Sequence, residues 1–227
     1  MNKDTLEEVV LPNSLKKIPQ YSFGYMTKLK HIHIPQGVEI IGELAFSMCK
    51  DVKIGDKLTL ENIQRIDDSA FLESGISGRI IFGEKLRYIG NNAFGDTLIR
   101  EIDLSKCVNL YEINSGAFKN CINLEKVILP DSIKEIRYLC FYGCEKLKQI
   151  NIPKDLEMLG RKAFAKCKNL TELNFCDCNL QKVKVHEWCF NHDTDLRLKI
   201  PRWAKELDSL GRDYFGLDIK DIEFIGT

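Results

Sequence analysis

With 227 residues, 44% of them apolar and 29% charged, the chain has the makeup of an ordinary folded protein, and its length alone would suit one large or two small domains. Its 33 basic and 33 acidic side chains cancel, which removes electrostatic support for general nucleic-acid binding or attachment to an anionic membrane surface. The opening stretch from Met1 to Glu8 lacks the apolar run of a signal peptide, and no segment approaches the roughly 18 apolar residues of a membrane span. As written, the sequence is expected to be cytoplasmic; a cell-surface or secreted protein is expected instead if an export signal lies outside it.

In chain order, Leu6 to Leu11 reads as a short strand, and Leu29-Lys-His-Ile-His-Ile-Pro35 as a second copy of it. The stretch Ile76 to Phe82 is a weaker copy, interrupted by Gly75 and Gly78. Ile99 to Leu104, Leu124 to Pro130, Leu147 to Pro153, Leu170 to Phe175 and Leu198 to Ile200 continue the series. The fullest copies carry aliphatic residues at the first, fourth and sixth positions, then proline. The alternation is that of a half-buried strand, and proline stops the ladder because it has no N–H to donate.

A second short apolar motif follows and ends in phenylalanine, as in Leu86-Arg-Tyr-Ile-Gly-Asn-Asn-Ala-Phe94 and Leu156-Glu-Met-Leu-Gly-Arg-Lys-Ala-Phe164. It is expected to form a second short strand and a tight helical turn that sets the ring between layers. Alanine precedes the ring at Ala45, Ala70, Ala93, Ala117 and Ala163, so this position requires a small side chain. The phenylalanine recurs at Phe23, Phe46, Phe71, Phe94, Phe118, Phe141, Phe164 and Phe190, at intervals of 23 to 26 residues. A fixed period of that size describes a stack of one small unit, in which each coil buries its apolar face against its neighbours.

Two stretches carry a more specific pattern. Leu170-Thr-Glu-Leu-Asn-Phe-Cys-Asp-Cys-Asn-Leu180 fits the leucine-rich repeat template Leu-x-x-Leu-x-Leu-x-x-Asn/Cys-x-Leu, and Ile99 to Leu110 fits with one extra residue and Cys107 at the polar position. With the 23-residue period, the Ile-Pro after the strand and the Ile-Gly-x-x-Ala-Phe-x-x-Cys element, the chain resembles the BspA-like, or treponemal-type, leucine-rich repeats over about residues 6 to 201. The resemblance implies a right-handed solenoid of short parallel strands with about eight repeats. It also implies the company of bacterial surface or secreted proteins, and some from protozoa, that act as adhesins or protein-binding modules.

Residues 1–201 are therefore expected to form the solenoid and 202–227 a C-terminal cap within the same structural unit. In the tail, Trp203, Leu207, Leu210 and Tyr214 fall at helical spacing, and Asp221 to Ile225 reads as a terminal strand. The N-terminus has no matching cap, so self-association at that edge is expected to be possible.

Nine cysteines, an odd number, show no spacing of a secreted disulfide framework. Cys176, Cys178, His186, Cys189 and His192 crowd together and invite a zinc or cysteine-catalysis reading. The repeat register opposes it. Cys140 and Cys189 occupy the small position before the ring, Cys49, Cys121, Cys144 and Cys167 fall three residues after one, and Cys107 and Cys178 sit in turns; only Cys176 has no slot. Buried cysteine in such slots acts as a small hydrophobe. No phosphate-cradling glycine motif is present. No cofactor, metal or catalytic residue is assigned.

The remaining candidate is the outward side of the first strands: His31, His33, Glu101, Asp103, Lys126, Ile128, Gln149, Asn151, Glu172, Asn174, Arg197 and Lys199. A stacked sheet presents an extended face, the surface solenoids use for recognition. Outward Val10, Ile81 and Ile128 are apolar where solvation would favour polar residues, and a contiguous apolar patch would mark an interface. The reading is a non-catalytic protein-interaction module with a protein partner. The alternatives are a surface adhesin whose export signal lies outside this sequence, a zinc- or cysteine-dependent enzyme, and a structural spacer.

Overall fold

The computed structural model describes residues 5–53, 57–186, 188–190, 196–202, 204 and 222–225. They form a parallel β-solenoid of about eight turns, each contributing one strand to each of two rows. The first row is β1 (Glu8–Val9), β3 (His31–Ile32), β5 (Lys57–Leu60), β7 (Ser77–Phe82), β9 (Leu98–Asp103), β11 (Lys126–Ile128), β13 (Gln149–Ile150), β15 (Glu172–Asn174), β17 (Arg197–Pro201) and the terminal β18 (Ile222–Ile225). The second row is β2 (Lys17–Ile18), β4 (Ile40–Ile41), β6 (Arg65–Ile66), β8 (Tyr88–Ile89), β10 (Glu112–Ile113), β12 (Glu135–Ile136), β14 (Met158–Leu159) and β16 (Lys184–Val185).

Every ladder is parallel, as stacking one repeat on the next demands. The first row divides into sheets ordered β1-β3, β5-β7-β9-β11-β13 and β15-β17-β18; the second into β2-β4-β6-β8 and β10-β12-β14-β16. The break between β8 and β10 has a local cause. At the position after the second strand, backbone N–H groups such as that of Gly90 donate to the preceding coil, here to the Ile66 carbonyl at 2.8 Å. In the next coil the buried Asn114 side chain makes that rung, donating to the Ile89 carbonyl at 2.8 Å.

Ile76 to Phe82, the weak copy in sequence, contains one of the two longest strands, β7, with its register shift at Gly78 and Arg79. Gly78 lies at φ +77°, the left-handed region that glycine tolerates without a Cβ clash. The periodicity also passes over β5, where Leu58 and Leu60 point inward and Lys57 and Thr59 outward. The terminal strand is present as β18, paired in parallel with β17. Trp203, Leu207, Leu210 and Tyr214 lie outside the described residues.

One continuous apolar core runs the length of the stack. Its spine is the phenylalanine column, with successive ring centroids 5.1 to 5.9 Å apart and planes within 17° of parallel. Offset stacking of this kind adds roughly 0.5–1.5 kcal/mol per pair beyond area burial.

The turn around each ring is not helical, contrary to the expectation from sequence. It is a chain of tight turns with left-handed residues two before and two after the ring. Leu44 and Met48 flank Phe46, Leu139 and Gly143 flank Phe141, and Lys162 and Lys166 flank Phe164. That alternation turns backbone N–H groups outward along the axis: Phe46 donates to the Ala70 carbonyl at 2.7 Å and Met48 to the Leu72 carbonyl at 2.8 Å. A helix would have consumed these donors inside one coil; the solenoid needs them between coils.

Candidate functional site

The first row places all twelve outward candidates on one strand face, alternating with buried neighbours. His31, His33, Gln149, Asn151, Glu172, Asn174 and Arg197 are exposed, and Glu101, Asp103, Lys126, Ile128 and Lys199 half-buried. Parallel pairing sets them in columns. Lys57, Arg79, Glu101, Lys126 and Gln149 are consecutive Cα partners, as are Ile81, Asp103 and Ile128 in the adjacent column. Glu172 and Asn174 pair with Arg197 and Lys199.

The apolar outward residues do not merge into one patch. Asp103 stands between Ile81 and Ile128, and Val10, 84% exposed, belongs to the first coil.

Several candidates are already engaged in holding the face together. Arg79 bridges to Asp103 at 2.9 Å and to Glu101 at 3.6 Å. Asp103 also accepts from the Ser105 backbone and hydroxyl, at 3.1 and 2.7 Å, which fixes the turn after β9. Partial burial acts to raise the Asp103 pKa, but the hydrogen bonds from Ser105 and Arg79 outweigh it and hold the carboxyl below its usual value. Asn151 spends both ends of its amide on Leu129, accepting from its N–H and donating to its carbonyl, each at 2.8 Å. Asn174 accepts from the Cys176 N–H at 2.9 Å, and Lys199 bridges to Glu172 at 2.9 Å.

Lys126, Ile128 and Gln149 are different. Among the described residues, neither polar side chain of the three is committed to a hydrogen bond or an ion pair. They adjoin one another, since Lys126 and Gln149 are direct register partners and Ile128 lies two residues along the same strand as Lys126. With His31, His33 and Arg197 nearer the two ends, which also make no side-chain hydrogen bond or ion pair among the described residues, they are the candidates free to meet something else, and they sit in the middle of the face.

The cysteine and histidine cluster is dispersed by the repeat. The Cys178 thiol is buried and donates to the Pro153 carbonyl at 3.2 Å, just as the Cys107 thiol donates to Gly83 at 3.4 Å. Cys189 is fully buried behind its ring, and burial drives its pKa far up. His186 is exposed beyond β16, and Cys176 is half-buried beside Asn174 on the other row. His192 lies outside the described residues. Among the described residues no three His, Cys, Asp or Glu side chains gather as metal ligands would.

The profile of the BspA-type leucine-rich repeat region matches residues 1–111 and 102–216, in six copies. The chain belongs to that family. Its fold is shared by a leucine-rich repeat protein from Bacteroides ovatus, with a TM-score of 0.65 and 21% identity over 97% of this chain and 63% of that one. The leucine-rich repeat protein of T. pallidum is also similar, with a TM-score of 0.60 and 26% identity over 74% of this chain and 79% of that one. This chain thus spans somewhat less than two thirds of the Bacteroides protein. No curated protein matches it significantly. Among the described residues no helix is long and apolar enough to cross a membrane.

Proposed function

We propose that the chain is a non-catalytic protein-interaction module and that a partner protein docks on the strand face around Lys126, Ile128 and Gln149. The observation that carries this reading is the contrast within the face. Asp103, Asn151 and Asn174 are tied into the fold by their own hydrogen bonds, whereas the adjoining Lys126, Ile128 and Gln149 are uncommitted. A half-buried isoleucine between polar neighbours has the composition of an interface centre with a polar rim. His31, His33 and Arg197 extend the same face toward its two ends. The face serves equally in the cytoplasm or on a cell surface, as an adhesin would use it.

Affinity capture from the source cells and their medium tests the proposal, with wild type beside a Lys126→Glu, Ile128→Lys, Gln149→Ala variant that leaves Asp103 and Asn151 intact. A partner held by wild type and lost by the folded variant is the expected result. Equal capture by both moves the site off this face, and no capture by either favours a structural spacer.

A further inference from the structure

Three carboxylates border the middle of the strand face, and each is already bridged to a cation. Glu101 and Asp103 are the register partners of Lys126 and Ile128, and Glu125 precedes Lys126 in the chain. Arg79 bridges to Asp103 at 2.9 Å and to Glu101 at 3.6 Å, and Arg100 bridges to Glu125 at 3.5 Å. In the next coil Glu172 is bridged to Lys199 at 2.9 Å. Two lysines are left over. Lys126 and Lys148 make no side-chain hydrogen bond or ion pair among the described residues. They lie on neighbouring coils, since Gln149, the register partner of Lys126, directly follows Lys148. Both belong to residues 57–186, where the chain is described without a break.

The free side chains also have a defined spacing. Lys126 and Ile128 stand two residues apart on β11 and are half-buried on either side of the buried Val127. Residues two apart on a strand share one side and are separated by about 7 Å. Lys148 and Gln149 sit one coil across, where the rings of the same two coils, Phe141 and Phe164, have centroids 5.5 Å apart.

We infer that the partner protein docked on this face presents an extended segment with an acidic residue and an aliphatic residue two positions apart. Its carboxylate lies over Lys126 and Lys148, its aliphatic side chain rests on Ile128, and the Gln149 amide hydrogen-bonds to its backbone. The inference rests on the interaction-module reading and adds the chemistry of the partner. An extended segment fits because its own alternation repeats the spacing of Lys126 and Ile128. A carboxylate fits because the local carboxylates are spent on Arg79 and Arg100, which leaves the two lysines to be complemented from outside. A nucleic acid fits worse: it has no aliphatic side chain for Ile128, and its run of phosphates would meet Glu101 and Asp103 in the coil beside Lys126.

The test uses the full chain and a fluorescein-labelled peptide of Thr-Glu-Thr-Leu repeats, which carries glutamate and leucine on one side when extended, followed by anisotropy. Competitors are the same peptide with lysine for glutamate, a Thr-Thr-Glu-Leu repeat that puts glutamate and leucine on opposite sides, and an oligothymidine of similar length. The variants are Lys126→Glu with Lys148→Glu on the face, and Arg87→Glu with Lys184→Glu, the same change of charge on the exposed second row. We expect wild type and the second-row variant to bind the acidic peptide, and the face variant to bind it at least about tenfold more weakly and to prefer the lysine peptide. Thermal melting of both variants keeps loss of fold apart from loss of binding. No binding by wild type, equal binding by the face variant, or equal competition by any of the three competitors would overturn the inference. A cellular partner held by the Lys126→Glu, Lys148→Glu variant as firmly as by wild type, yet lost on Ile128→Lys, would overturn the acidic chemistry and leave the docking face standing. A partner lost by neither variant would remove both.

Discussion

The Cys144 thiol donates to the Phe118 carbonyl of the coil before it, at 3.1 Å. The same bond joins Cys49 to Phe23, Cys121 to Phe94 and Cys167 to Phe141. In these four coils the side chain three residues past the ring thus fills a small apolar hole and satisfies an inward carbonyl of its neighbour. Thr97 stands at the same position but turns to its own coil, its hydroxyl donating to the Phe94 carbonyl at 2.8 Å.

These thiols make the fold sensitive to alkali. Burial pushes Cys49 up to about 11 and Cys107, Cys167 and Cys178 up to about 12, from an ordinary 9.0. Each is stabilising while protonated. Above about pH 9 the unfolded chain releases thiol protons that the folded chain still holds, so stability is full below about pH 9 and falls as pH rises towards 12. Urea midpoints measured from about pH 7 to about pH 10 should be flat at first and then decline, with a shallower decline in a Cys107→Ser, Cys167→Ser variant. Identical slopes in the two proteins would refute the assignment.

The phenylalanine column predicts a graded response. Phe118 is wholly buried with a stacked ring on each side, so Phe118→Ala should cost about 3–5 kcal/mol. Phe23 is half-buried at the end of the column and stacks on Phe46 alone among the described residues, so Phe23→Ala should cost clearly less. Equilibrium denaturation of the two variants decides it; equal losses would mean the column is not the spine of the core.

The left-handed positions predict opposite signs for two glycine exchanges. Lys162 is held at φ +58°, where the equivalent residue one ring earlier but one is Gly116 at φ +65°. Lys162→Gly should therefore stabilise the fold by up to about 1 kcal/mol, relief of strain outweighing the added chain entropy. Gly143 lies at φ +73°, where a Cβ is strained, and that Cβ would lie 2.4 Å from the Asn120 side-chain oxygen, which would have to shift. Gly143→Ala should destabilise by more than about 1 kcal/mol. Thermal melts showing both changes neutral would contradict the turn geometry.

Most of the stack was legible in sequence because the ring, the small residue before it and the cysteine after it are all set by contact with neighbouring coils, and those contacts recur. The left-handed turns were not legible, because only Gly116 and Gly143 mark them with glycine while others carry leucine, tyrosine, lysine or methionine; contacts between coils override local preference there. β5 escaped because the interval from Phe46 to Phe71 is 25 residues rather than 23, which displaces it from the period. On the strand face the outward positions followed from alternation alone. Which of them are spent on the fold did not, since the two hydrogen bonds between the Asn151 amide and the Leu129 backbone depend on a side chain reaching across coils.

A photo-crosslinking residue placed at Gln149 on the strand face, beside one at Lys134 on the second row, tests the central claim most directly. With the captured partner present, a strong crosslink from Gln149 and little from Lys134 is the predicted result. A crosslink from Lys134 with none from Gln149 would contradict the strand face as the binding surface.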